Sequence, residues 1–171
     1  MSGQPILEVN DLKKHFGAKG AVVKAVDGVS LHVMPGETLS LVGESGCGKS
    51  TVGRGILRLF DLTDGQVVLD GQRIDQLSAG ALRPIRRRMQ VVFQDPFSSL
   101  NPRMRVRDIL GEPIRNFGLA KDAAELDARV AYLLDTVRLP KDAAGRYPHE
   151  FSGGQRQRIG IARALAAEPS L

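Results

Sequence analysis

The sequence predicts an α/β fold in which a core with an antiparallel β portion carries an inserted helical subdomain. Three observations lead to this prediction. Apolar and polar residues alternate before Pro35, a short apolar strand runs into a glycine-rich loop and a helix near 43–51, and helical periodicity replaces strand patterning after Asp95. We therefore expect a β-rich core at 1–94, the helical subdomain at 95–153 and a final helix within 154–171.

The β-rich core should begin with two antiparallel strands, because β-branched and polar residues alternate in both segments and glycines separate them. A third strand leads into the glycine-rich loop, and a fifth is expected to be buried because its apolar residues are consecutive. The predicted elements are strands at 6–16, 22–33, 38–42, 66–69 and 89–93, and a helix from Lys49 to Phe60.

Two helices are predicted in the second half of the chain. The first runs from about Asp122 to Val137, where apolar residues recur at the spacing of one buried helical stripe. The second runs from about Gly154 to Ala167, with Ser152 as N-cap and Gln155 three residues later. That pair is the capping-box pattern, which satisfies two of the backbone N–H groups at a helix start.

Composition is that of one ordinary globular domain, with 171 residues, 42% of them hydrophobic and 25% charged. Aromatic residues make up 5% and Trp is absent, so the core should consist of Val, Leu, Ile and Ala. The single cysteine, Cys47, excludes an internal disulfide.

No stretch approaches the roughly 20 apolar residues of a membrane helix. We expect a cytosolic chain that would work at a membrane only by docking onto another subunit.

The glycine-rich loop matches the pattern G-x-x-x-x-G-K-[ST] at every fixed position, between a predicted strand and a predicted helix. Its glycines allow backbone N–H groups to surround phosphates, and its lysine adds a full positive charge. The pattern predicts a P-loop NTPase core that binds the phosphates of a nucleotide with Mg²⁺, the metal ligand being Ser50. The alternative is a turn that only joins strand to helix. The predicted ATP-binding residues are Gly43, Glu44, Ser45, Gly46, Cys47, Gly48, Lys49, Ser50 and Thr51.

A second motif lies about a hundred residues downstream, where a capped helix start with two glycines again offers unpaired N–H groups to an anion. An ordinary helix cap is the alternative interpretation. A phosphate loop alone is compatible with kinases, GTPases, helicases and transporters, so this second motif is needed to choose among them. The motif is Phe151, Ser152, Gly153, Gly154 and Gln155.

Together the two motifs resemble those of ATP-binding cassette (ABC) ATPases, whose signature is usually Leu-Ser-Gly-Gly-Gln and here begins with Phe151. The resemblance implies a RecA-like core and the cofactors ATP and Mg²⁺. It also implies a head-to-tail homo- or heterodimer, in which the signature covers the γ-phosphate of ATP held by a second ATPase subunit. The residues assigned to this role are Ser152, Gly153, Gly154 and Gln155.

Two more residues take their roles from the resemblance. Gln94 lies where the family has its Q-loop, which implies contact with Mg²⁺ and with a membrane subunit, and makes it the one possible catalytic residue. Phe16 lies where the family stacks an aromatic ring on adenine. The alternatives are a polar residue that ends a strand for Gln94 and a core ring for Phe16.

The segments Val26–Ser30, Gln94–Arg103 and Tyr147–Phe151 look like those of dipeptide and oligopeptide importer ATPases, and nickel importers share much of them. This resemblance implies transport of peptides, membrane permease subunits as partners and an indirect extracytoplasmic binding protein. It further implies a peripheral location on the cytoplasmic face of the inner membrane. The arginines at 83 and 86–88 are interpreted as a solvated face, so no nucleic-acid partner is expected.

In the family an apolar strand ending in Asp-Glu should follow shortly after Leu171, and a switch histidine later still. The printed 171 residues contain neither, so we interpret the domain as C-terminally incomplete and expect this chain alone not to hydrolyse ATP above background. The alternatives are an inactive nucleotide-binding fragment and an ABC ATPase of DNA repair or translation. A long coiled-coil insertion or a duplicated cassette would mark the latter, and neither is present.

Overall fold

The computed structural model describes residues 3–18, 21–95 and 99–171. The chain forms two compact units, Met1–Arg83 and Pro84–Leu171, and each is described by itself. The buried side chains of the described residues are all apolar, mostly Val, Leu, Ile and Ala. This agrees with the core composition that the sequence predicts.

The first unit is built on a four-stranded antiparallel sheet in the order β2-β1-β3-β4. The strands are β1 Leu7–Ala18, β2 Ala21–Val33, β3 Asp64–Leu69 and β4 Gln72–Arg73. The predicted hairpin is confirmed, with Leu7 opposite Val33 at one end and Phe16 opposite Val23 at the other. Leu7 and Val9 also lie opposite Leu69 and Val67 of β3, and all four side chains are buried.

Helix α1, Lys49–Ile56, follows the glycine-rich loop as predicted but ends four residues before Phe60. Arg58 has a φ of 51°, in the left-handed region that a helix cannot continue through. Gly53 and Gly55 also lower the helical propensity of the segment. The helix therefore stops early, and Phe60 lies in the loop that leads to β3.

The predicted strands at 38–42 and 89–93 are wrong, because neither segment is a strand in this structure. A strand persists only where its backbone N–H and C=O groups pair with a neighbouring strand. Neither segment is part of the four-stranded sheet. Leu39, Leu41 and Val42 are exposed, Val42 by 92%, so the apolar pattern is not matched by burial among the described residues.

Helix α2, Ala79–Arg88, was not predicted. Pro84 lies inside it and removes one helical hydrogen bond, so the segment lacks an ordinary helical signal. The three arginines of its last turn, Arg86 to Arg88, favour the helix because its C-terminal end carries partial negative charge.

The second unit is helical. Helix α4, Ala123–Thr136, confirms the predicted stripe, and the Asp122 carboxylate caps it by accepting a hydrogen bond from the Glu125 backbone N–H. Leu110, Ile114, Leu134 and Ile159 are fully buried in the core of this unit. Its main helices are α3 Val106–Asn116, α4 Ala123–Thr136 and α5 Gly153–Leu165, with 3-10 turns at Lys141–Gly145 and Pro148–Glu150.

Candidate functional site

The glycine-rich loop has a backbone conformation that requires glycine at two positions. Gly46 and Gly48 have φ values of 87° and 95°, which side chains with a Cβ rarely adopt. A Cβ at Gly48 would also lie 2.4 Å from the Ala25 carbonyl oxygen of β2. The fold therefore requires glycine at Gly48, where the loop turns into α1.

The first turn of α1 is free of capping side chains. Its N-cap is Gly48, whose lack of a side chain leaves no cap hydrogen bond, and the turn contains no acidic residue. The first helical bond runs from the Val52 N–H to the Gly48 carbonyl. The N–H groups of Lys49, Ser50 and Thr51 thus have no acceptor within the helix, and they join the positive end of the helix dipole in favouring an anion.

Lys49 folds back over the loop. Its Nζ donates hydrogen bonds to the carbonyl oxygens of Gly43 at 2.7 Å and Glu44 at 2.6 Å, and lies 3.6 Å from the Cys47 Sγ. No carboxylate in the described part of the chain forms an ion pair with this ammonium group. Within the described residues its full charge meets neutral loop atoms only, and a phosphate could replace them.

Cys47 is exposed, and its Sγ also contacts the start of the loop. A Cβ at Gly43 would lie 2.7 Å from that sulfur, so the small residue at Gly43 makes room for the thiol. Glu44 and Ser45 are exposed like the rest of the loop tip. The predicted phosphate-contacting residues thus form one accessible loop within the first unit.

Ser50 is exposed in the first turn of α1 and offers a hydroxyl oxygen, a ligand type that Mg²⁺ accepts together with phosphate oxygens. Among the described residues, no group of three His, Cys, Asp or Glu side chains could hold a metal ion. One hydroxyl oxygen fits a magnesium ion that takes its other ligands from phosphate oxygens and water.

Phe16 lies near the end of β1, in the same unit as the loop, and 45% of it is exposed. Its side chain is therefore accessible to a planar group, whereas a core ring would be buried.

Charged side chains lie along the same hairpin. Hydrogen bonds from Lys24 and then from His15 hold the pKa of the exposed Asp27 carboxyl below its ordinary value.

The signature motif begins α5 in the second unit, and the predicted capping box is present. The Ser152 N–H donates to Gln155 Oε1 at 2.9 Å, and the Gln155 N–H donates to Ser152 Oγ at 3.3 Å. Gly153 and Gly154 are exposed, and a Cβ at either position would meet nothing within 4 Å. The fold does not require glycine there, so these glycines leave backbone open for a group from outside.

Two arginines that the sequence analysis missed fix the residue before the cap. Phe151 is buried, and the Arg146 guanidinium lies over its ring at 4.6 Å from the centroid. Arg156 Nε donates to the Phe151 carbonyl oxygen at 2.9 Å. Arg146 also donates to the Glu150 carbonyl oxygen at 3.0 Å. These contacts hold in place the residue that precedes the signature's helix cap. Of the two arginines, the sequence could have suggested Arg156, because it lies in the same helix as the motif.

Gln94 lies in the second unit, in an exposed bend that follows the buried Met89. Pro96, Phe97 and Ser98, which belong to the segment that resembles importer ATPases, lie outside the described residues. The side chain of Gln94 is accessible, but within its own unit no described contact assigns it a ligand.

A family model described as ABC transporter matches residues 26–171. Among curated relatives, the oligopeptide transport ATP-binding protein OppF of Bacillus subtilis is 54% identical over 167 residues, which are 97% of this chain and 55% of that protein. The glutathione import ATP-binding protein GsiA of Escherichia coli is 52% identical over 180 residues, which cover 100% of this chain and 28% of that protein. This chain therefore spans about half of one relative and less than a third of the other.

Solved structures show the same fold. The dimeric post-hydrolysis state of the ATP-binding cassette MJ0796, bound to ADP and Pi, has a TM-score of 0.85 and 31% identity, covering 95% of this chain and 70% of that one. The structure of cbiO1 from Clostridium perfringens, part of the complex cbiONQ, has a TM-score of 0.80 and 25% identity, covering 96% and 62%. These likenesses confirm the predicted fold class. No helix in the described ranges is both long and apolar enough to cross a bilayer.

Proposed function

We propose that this chain, which belongs to the ABC transporter family, is the ATP-binding part of an importer ATPase subunit that couples MgATP binding and hydrolysis to peptide transport. The observation that carries the proposal is the arrangement of Lys49 at an uncapped helix start, in a loop whose glycines expose backbone N–H groups. Such a site favours a triphosphate over an uncharged ligand.

In the proposed complex the phosphate loop holds the β- and γ-phosphates. The Lys49 ammonium exchanges its carbonyl partners at Gly43 and Glu44 for phosphate oxygens, and the N–H groups of the first turn donate to the same anion. Ser50 would hold Mg²⁺, and a magnesium contact of Gln94 stays a prediction that rests on the family resemblance alone. When bound, Mg²⁺ neutralises charge on the phosphates and orients them.

The signature is proposed to act on a second subunit. The Ser152 hydroxyl accepts from Gln155 and can still donate its own hydrogen, and Gly153 and Gly154 leave the helix start accessible. A γ-phosphate held by a partner's loop could approach these groups. The solved dimeric cassette of similar fold supports a dimer of this kind, homo- or heteromeric.

The transported substrate is proposed from the relatives. OppF is an oligopeptide transport protein and GsiA a glutathione import protein, and glutathione is itself a small peptide. A peptide importer ATPase would work with membrane permease subunits at the cytoplasmic face of the inner membrane and indirectly with an extracytoplasmic binding protein. That the 171 residues alone do not hydrolyse ATP stays a prediction.

Replacing Phe16 with alanine should weaken MgATP binding by about 1–3 kcal/mol, the range observed when an aromatic side chain that stacks on a base is removed. The measurement is isothermal titration of the 171-residue chain with MgATP. Inorganic tripolyphosphate is the control ligand, since it carries the phosphates without a base, and its affinity should not change. An equal loss for both ligands would mean that Phe16 only supports the fold.

A further inference from the structure

Phe16 is in contact with a second aromatic ring that the proposed function does not use. The Phe60 ring lies 5.9 Å from the Phe16 ring, centroid to centroid, with the two planes 77° apart. This edge-to-face geometry is one of the two favourable arrangements for aromatic pairs. Phe60 is half-buried and packs over α1, since its Cε2 would lie 3.6 Å from a Cβ placed at Gly55. One ring of the pair is therefore anchored while the other is exposed.

A lysine completes the cluster. Lys14 Nζ lies 5.0 Å from the centroid of Phe16 and 5.0 Å from that of Phe60. The same ammonium donates a hydrogen bond of 2.7 Å to the Asp61 carbonyl oxygen, next to Phe60 in the chain. Cation–π contact with both rings, together with this hydrogen bond, ties the end of β1 to the loop after α1.

Lys14 and Phe60 lie on one side of Phe16. The separations of 5.9, 5.0 and 5.0 Å form a nearly equilateral triangle, so Lys14 and Phe60 approach Phe16 from neighbouring directions. The 45% of Phe16 that is exposed is therefore available to a planar ligand.

We propose that Phe60 and Lys14 are positioning residues for the nucleotide base: they hold the Phe16 ring in the orientation in which adenine stacks on it. The inference rests on the proposed function, because it requires Phe16 to contact a base. A ring held before the ligand arrives loses less conformational freedom on binding than a mobile one. Phe60 and Lys14 therefore raise affinity for the base-bearing nucleotide without touching it.

The experiment titrates MgATP and tripolyphosphate into the 171-residue chain and its variants. Phe60→Leu and Lys14→Met should each raise the Kd for MgATP by about two- to tenfold, the effect of having to immobilise one more side chain on binding. The Kd for tripolyphosphate should stay within about twofold of its original value. A change of that size is what small couplings between distant sites produce. Phe60→Tyr, which keeps the ring, should bind MgATP with the affinity of the original chain.

Two control variants match the test variants. Leu59→Ala removes an exposed apolar side chain beside Phe60. Lys24→Met removes a positive charge of the same hairpin that pairs with Asp27 rather than with a ring. Both should leave the ratio of the two Kd values unchanged. Should Phe60→Leu fail to fold, the exchange at Lys14 still tests the proposal, because its ammonium makes its contacts at the surface.

A double substitution separates this inference from the proposed function. In a Phe16→Ala background, Lys14→Met should no longer change the Kd for MgATP, since no ring is left to position. An equal effect in both backgrounds would overturn the inference while leaving base stacking intact, and so would a Phe60→Leu variant with unchanged ATP affinity. If Phe16→Ala itself leaves the affinity for MgATP unchanged, both the stacking role and this inference are refuted.

Discussion

Replacing Lys49 with alanine should abolish measurable MgATP binding to this chain. The Lys49 ammonium is the one full positive charge of the loop at 43–51, and it contacts the carbonyl oxygens of Gly43 and Glu44. Removing one member of a desolvated charge pair costs about 2–5 kcal/mol, which lowers affinity by roughly thirtyfold to several-thousandfold. Isothermal titration with MgATP measures the loss directly.

Arg54→Ala is the matched control, because it removes one positive charge from an exposed position in the last turn of the same helix. It should change the Kd by less than about threefold, as expected for one screened surface charge. A Lys49→Ala variant that binds MgATP like the original chain would remove the assignment of 43–51 as a phosphate loop.

Phe151→Ala should cost the second unit about 3–5 kcal/mol of unfolding free energy, the usual range for a buried phenylalanine. Only 3% of Phe151 is exposed, and its ring belongs to the core that α3, α4 and α5 share. The exchange also removes the contact with the Arg146 guanidinium. Urea unfolding followed by circular dichroism at helical wavelengths gives the value.

Phe151→Leu is the control for that exchange, since leucine keeps most of the apolar volume and is the residue usual at this place in the family's signature. Phe151→Leu should lower the free energy of unfolding of the second unit by less than about 1.5 kcal/mol, as volume-conserving core exchanges do. If leucine destabilises the unit as much as alanine, the arginine contact rather than core packing supports the signature.

Elements with local signals could be predicted from the sequence. The stripe of α4 and the Ser152–Gln155 capping box depend only on residues three or four positions apart, and the structure confirms both. The strands at 38–42 and 89–93 were predicted wrongly because an apolar run specifies that a segment can be a strand, not that a partner pairs with it. Strand pairing is non-local, so periodicity carries no information about it.

The candidate site shows the same difference between residues with local sequence signals and residues whose contacts are non-local. The phosphate loop was predicted because its glycines and lysine are adjacent in sequence, and Gly48 proves to need its left-handed conformation. The sequence did not predict the contact between Phe60 and Phe16, because the two residues lie far apart in the chain. Arg146 was missed for a related reason: only the folded chain shows that its guanidinium lies over the Phe151 ring.

The central claim is that the backbone at 43–51 binds the phosphates of ATP, and backbone amide NMR of the isotope-labelled chain tests it most directly. Addition of MgATP should shift the amide resonances of Gly46, Gly48, Lys49, Ser50 and Thr51 more than any others, with tripolyphosphate shifting the same set. Saturable MgATP binding that leaves these five amides unmoved, or the absence of any binding, would contradict the account.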